Sequence, residues 1–187
     1  MNEEKFWQLI QLVHEQVSGD MESKCEAIGM AIRALSSEEA ITFSAFFDDM
    51  MDRAYTWPLW GAAYVMSGGC SDDAFTDFRS SLISRGKQSF DKAISNPDSL
   101  ASEEFDEDAW YFEGFQYAIT EGVEAVVGTT PQRRKPHPDE PSGEPWDEDP
   151  EELKDKYPNL WAAFTDVWAV PSPPPSAPNG KPWWKLW

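Results

Sequence analysis

Residues 57–79 read Trp57-Pro58-Leu59-Trp60-Gly61-Ala62-Ala63-Tyr64-Val65-Met66-Ser67-Gly68-Gly69-Cys70-Ser71-Asp72-Asp73-Ala74-Phe75-Thr76-Asp77-Phe78-Arg79. The order of residue types predicts two helices joined by a tight stop. Pro58 fits a first helical turn, where its missing N–H would have had no partner anyway. Trp60, Ala63, Tyr64 and Ser67 then fall on one side, while Gly61 and Ala62 let another helix approach closely. Gly68-Gly69 reaches the left-handed conformation of a helix end without a Cβ penalty. Ser71 follows as an N-cap, and Asp72 and Asp73 place negative charge in the next first turn, for about 0.3–1 kcal/mol each. Phe75, Phe78, Leu82 and Ile83 carry the core face of the second helix, and Gly86 is placed to stop it.

Upstream, Phe6, Leu9, Ile10, Val13 and Val17 repeat at helical spacing over residues 5–17. His14 lies beside that stripe and next to Glu15; its position suits a half-exposed helix residue rather than a catalytic base. Ser18-Gly19-Asp20 ends this helix and caps the next, in which Met21, Cys25, Ile28, Ile32 and Leu35 share a face. So short a link predicts antiparallel neighbours. Ser36 and Glu39 have capping-box spacing before Ile41, Phe43, Phe47, Met50, Met51 and Ala54. Asp48, Asp49 and Asp52 fall on or near one side of this third helix, as a solvated face or a cation site.

Downstream, a sixth helix over 87–95 meets a break at Asn96-Pro97-Asp98. From residue 93 to 132 there is no Lys or Arg, while nine acids appear: Asp98, Glu103, Glu104, Asp106, Glu107, Asp108, Glu113, Glu121 and Glu124. Trp110, Phe115, Ile119, Val123, Val126 and Val127 in the same stretch suit one long final bundle helix. Past residue 130 come 13 of the 15 prolines and the basic cluster Arg133-Arg134-Lys135, which is placed to clamp the acidic helix before it. Residues 151–170 resume helix with Leu153, Tyr157, Leu160, Trp161, Phe164 and Trp168, although Pro158 must kink it or start a new turn.

The hairpin resembles a bacterial family known as domain of unknown function 4240. The resemblance rests on Trp57-x-Leu59-Trp60-Gly61-Ala62-Ala63-Tyr64, Gly68-Gly69-Cys70-Ser71-Asp72-Asp73 and Phe75-x-x-Phe78-Arg79. It extends to Phe6-Trp7-x-Leu9-Ile10 and, more loosely, to Tyr157-Pro158-x-Leu160-Trp161, covering about residues 1–165. The family's Asn-Pro-Asp-Ser-Leu phrase, present at Asn96 to Leu100, implies a structured turn, and its Tyr-Pro-x-Leu-Trp phrase implies a segment docked on the bundle. The resemblance supplies no activity.

The expected fold is therefore all-α: a bundle of about seven helices over 1–128, a Pro-rich acidic connector over 129–150, a docking helix over 151–170 and a Pro/Trp-rich tail over 171–187. A chain of 187 residues can bury one good core. A net charge of −19 with only 15 Lys plus Arg argues against nucleic acid and anionic membrane as partners, because both are bound by basic residues. No apolar run approaches the roughly 18 residues of a membrane span, and Met1 to Lys5 lacks the layout of a secretion signal, so a cytoplasmic protein is expected. Cys25 and Cys70, far apart in sequence, read as small apolar residues.

Two function classes remain open at this point. The first is a non-catalytic interaction module of the immunity, antitoxin or adaptor type, needing no cofactor. It would take a basic protein partner on Glu103, Glu104, Asp106, Glu107 and Asp108, helped by Trp183, Trp184 and Trp187 of the tail. Those tryptophans expose too much apolar surface to stay in water; they would cover this protein's own acidic flank, a second copy or a partner groove, with a membrane interface or a disordered tail as the remaining readings. The second is a metal-assisted hydrolase with Asp48, Asp52, Asp72 and Asp73 as ligands and Asp72, Asp73 and Arg79 as its catalytic set. The bland alternative for Ser71-Asp72-Asp73 is a helix cap, and for Arg79 a bidentate pair with an acid.

Overall fold

The computed structural model describes residues 1–17 and 20–168. The fold is all-α, with ten α-helices and no strand among the described residues. Its first five helices are α1 (Glu3–Gln16), α2 (Met21–Arg33), α3 (Ser37–Arg53), α4 (Trp57–Ser67) and α5 (Asp72–Ser84). Then come α6 (Lys87–Ser95), a 3₁₀ turn (Pro97–Ser102), α7 (Glu107–Trp110), α8 (Gly114–Val127), α9 (Pro150–Lys156) and α10 (Pro158–Ala163). None of the described helices is long and apolar enough to cross a membrane.

The caps expected from sequence form as chemistry demands. The Ser36 side chain and Glu39 make a complete capping box at the start of α3, and Ser71 accepts from the Ala74 N–H at the start of α5. Gly68 ends α4 at φ 69°, where a side chain would strain the backbone.

The late elements differ from expectation. Trp110 does not belong to the long final helix; it closes the one-turn α7, where the Asp106 side chain caps the Ala109 N–H. Tertiary packing decides this. Trp110 is fully buried, stacks on Phe78 at 5.3 Å and donates its indole N–H to the Glu104 carbonyl at 3.0 Å. Eight helices, rather than about seven, therefore precede residue 128. The segment after 150 splits at Pro158, which cannot supply the N–H that a continuous helix needs.

α4 carries no charged residue and is buried from two directions, the arrangement that a helix without a polar face requires. Leu59, Ala62, Ala63 and Val65 are fully buried. On another side, a Cβ placed on Gly61 would lie 2.3 Å from the Tyr157 hydroxyl oxygen and 3.0 Å from the Trp146 ring. Gly61 thus admits the late segment, not a bundle helix. Tyr157 donates to the Pro58 carbonyl at 2.9 Å, Trp146 to the Trp57 carbonyl at 2.9 Å and Trp168 to the Val65 carbonyl at 2.9 Å. Ser142 forms an isolated parallel bridge to Thr56.

The docked segment is held at its centre by Asp98. This carboxylate is 8% exposed and accepts the backbone N–H of Asn159 at 3.0 Å, that of Leu160 at 2.9 Å and the Asn159 side-chain amide at 2.5 Å. An anion from the 3₁₀ turn thereby satisfies the orphan donors that begin α10. The Asn-Pro-Asp-Ser-Leu and Tyr-Pro-x-Leu-Trp phrases are two halves of one contact.

Candidate functional site

The family hairpin folds into a line of aromatic rings that ends on a buried cation. Trp57 stacks on Trp60 at 5.4 Å, Trp60 stacks on Phe75 at 4.9 Å, and the Arg79 guanidinium lies 4.6 Å above Tyr55 and 5.0 Å above Phe75. Arg79 is 2% exposed and donates to the Met51 carbonyl at 3.0 Å and to the Thr76 hydroxyl at 2.9 Å. The expected pair with an acid is absent: no carboxylate among the described residues lies within 4.0 Å of it. Its charge is met by two ring faces and by a carbonyl in the last turn of α3, the negative end of that helix. Burial pulls the Arg79 guanidinium down to about 10, which leaves it charged at neutral pH. Arg79 also lines a cavity of 370 Å³ beside Thr76, Asp48 and Arg133.

Arg133 and Lys135 clamp α3 and not the acidic helix α8. Arg133 bonds Asp48 at 3.2 Å and Asp52 at 2.5 Å, and Lys135 bonds Asp49 at 2.9 Å. Asp48 and Asp52, one turn apart, present a two-acid edge that the fork of Arg133 spans. Asp48 still titrates above the usual carboxylate range because its burial outweighs the pull of Arg133.

These pairs bear on the metal-ligand set. Asp48 and Asp52 are engaged by Arg133, whereas Asp72 and Asp73 are exposed in the first turn of α5. Among the described residues no group of three or more His, Cys, Asp or Glu side chains is placed to hold a metal ion. The structure therefore does not gather Asp48, Asp52, Asp72 and Asp73 into one ligand set. Burial pushes the Cys25 thiol up to about 11 and the Cys70 thiol up to about 12, so neither is a thiolate at neutral pH.

The acidic stretch presents its charge outward. Glu104, Asp106, Glu107 and Asp108 are exposed and Glu103 is half-buried. None of the five makes an ion pair among the described residues. Asp106 and Asp108 face Asp20 and Glu22 of α2 across a 200 Å³ groove floored by Met21, Ala109 and Phe112. Asp20 caps α2, and hydrogen bonding from Ser23 holds its carboxyl below the usual range. Nearby, burial together with Glu113 and Asp73 pushes Asp77 up to about 6. The folded form thus binds this proton more tightly than the unfolded chain, and the associated stability is lost as pH rises from 3.8 through about 6. Asp77→Asn should accordingly raise Tm at pH 7.5, with the gain vanishing near pH 4 in thermal melts at both pH values.

Glu22, Asp77 and Lys24 were missed in the sequence, and Asp20 was read only as a cap. Only Lys24 left a signal: it lies three residues after Met21 and four before Ile28, on the core stripe of α2. Trp183, Trp184 and Trp187 lie outside the described residues, as does the self-association assigned to them.

The sequence model of the family described as protein of unknown function (DUF4240) matches residues 1–124. The chain belongs to this family. The match runs from α1 into α8, so the aromatic line, Arg79, Asp98 and the acidic groove of this chain lie within the matched span, whereas the Arg133 clamp and the α9–α10 segment follow it. No curated protein and no solved structure matches the chain.

Proposed function

We propose that this protein is a non-catalytic, cytoplasmic interaction module that takes a basic side chain of a protein partner into the groove between α2 and α7. One observation carries the reading: four carboxylates, Asp20, Glu22, Asp106 and Asp108, surround an apolar floor of Met21, Ala109 and Phe112, and none of them makes an ion pair within 4.0 Å among the described residues. A Lys or Arg stem packs on such a floor while its head meets the acids. Glu103, Glu104 and Glu107 extend the same negative field, which speeds encounter with a basic surface. An immunity, antitoxin or adaptor role fits this arrangement, with the tail tryptophans Trp183, Trp184 and Trp187 as a second contact.

Affinity capture from the source cell's extract tests the reading, with wild type beside Glu22→Lys/Asp108→Lys. Neither side chain is an N-cap, so the double variant should remain folded, each change costing about 0.3–1 kcal/mol at a helix start. Wild type should retain a stoichiometric basic partner at low salt and lose it in about 1 M salt, where the screening length is about 3 Å. The variant should retain none. Equal capture by the variant, or capture indifferent to salt, would remove the groove from the account.

A further inference from the structure

Lys24 is the least explained side chain of the fold. It is 4% exposed, one turn into α2, near the end of that helix where backbone N–H groups already concentrate positive charge. Its ammonium meets only the Nδ1 of His14, at 3.1 Å, and no carboxylate among the described residues lies within 4.0 Å. Arg85, a second cation, stands close enough to depress it further, and burial with this neighbour brings Lys24 down to about 8. Burial, Lys24 and Arg85 also hold His14 below its ordinary value against the pull of Glu15 and Glu103, so the imidazole is neutral and accepts from the ammonium. Arg85 lies 3.8 Å over the Trp110 ring and donates to the Glu104 carbonyl at 3.4 Å. A buried, charged group without a counter-ion is retained against stability, which marks functional positions.

These groups share a cavity of 390 Å³. Lys24 is buried and His14, Arg85 and Glu103 are half-buried in its inner part, and the exposed Glu104 and Asp106 stand at its mouth. The volume falls in the range of small-molecule sites. Positive charge inside and negative charge at the mouth reject a simple anion, which must pass the acids, and a simple cation, which the interior repels. A molecule carrying both signs satisfies both ends.

We propose that this cavity binds a small zwitterion, with its carboxylate or phosphate held by Lys24 and Arg85 and its amine facing Glu103, Glu104 and Asp106. The cavity shares Met21, Asp106 and Ala109 with the proposed partner groove, but neither Glu22 nor Asp108 lines it.

The test is thermal-shift and calorimetric titration of the full chain with glycine, 4-aminobutyrate and O-phosphoethanolamine, beside acetate, inorganic phosphate and ethylammonium at matched ionic strength. At least one zwitterion should raise Tm and bind with a measurable Kd. The shift should exceed that of either half-molecule, disappear in Lys24→Met and shrink in Glu103→Gln. Unliganded Lys24→Met should melt no lower than wild type, because methionine fills the stem's space without a buried charge. The proposal is overturned by the absence of any zwitterion effect, by equal effects of acetate or phosphate alone, by retention of binding in Lys24→Met, or by a large fall in that variant's unliganded Tm. Glu22→Lys/Asp108→Lys should bind the zwitterion as wild type does, so loss of the partner and loss of the ligand are read separately.

Discussion

Asp98→Ala should destabilise the protein by about 2–4 kcal/mol, because it removes charge-assisted bonds and leaves two donors at the start of α10 unpaired, one of them buried. The donors are the Asn159 and Leu160 N–H groups, and Leu160 itself is fully buried. Water cannot reach the Leu160 N–H without displacing α10 from α4 and the 3₁₀ turn. Loss should therefore be regional before it is global. Limited proteolysis should cut within residues 129–150 well before the bundle opens, and the urea midpoint should fall. Asp98→Asn keeps one acceptor without the charge and should lie between the alanine variant and wild type. Unchanged proteolysis in Asp98→Ala would mean that the aromatic contacts of Trp146, Tyr157 and Trp168 suffice to hold the segment.

Arg79→Ala should be more damaging, at about 3–5 kcal/mol, since it empties a fully buried volume and strips the Met51 carbonyl of its donor. The faces of Tyr55 and Phe75 lose a cation held at 4.6 Å and 5.0 Å. Arg79→Met retains most of the volume and no buried charge, so its cost should be clearly smaller than that of alanine. Arg79→Lys keeps the charge but not the planar fork that reaches both Met51 and Thr76, and should also destabilise. Urea unfolding followed by far-UV circular dichroism measures all three. A methionine variant as unstable as the alanine one would assign the stability to the hydrogen bonds and charge rather than to packing.

The helices of the bundle were legible because their signals are local. Ser36 with Glu39, Ser71, Gly68 and the apolar spacing of α1, α3 and α5 act within one or two turns, and the structure uses each as its chemistry suggests. The family motifs were legible for the same reason. What escaped the sequence depends on residues far apart in the chain. Trp110 leaves α8 because Phe78 and the Glu104 carbonyl receive its ring. Arg133 finds Asp48 and Asp52 rather than α8 because the connector returns along α3, with Ser142 seated beside Thr56. Arg79 needs no acid because a helix end and two rings stand where a carboxylate was expected. The acids of the groove were half visible: Asp106 and Asp108 stood out in an unbroken acidic run, but Asp20 and Glu22 join them only once α7 packs against the start of α2.

The most direct test of the groove as a docking surface is hydrogen–deuterium exchange on the full chain, with and without the captured partner. The account predicts slowed exchange over residues 20–25 and 104–112, reversed by high salt. Protection confined to the Arg79 cavity or to α9 and α10, with those two segments unchanged, would contradict it.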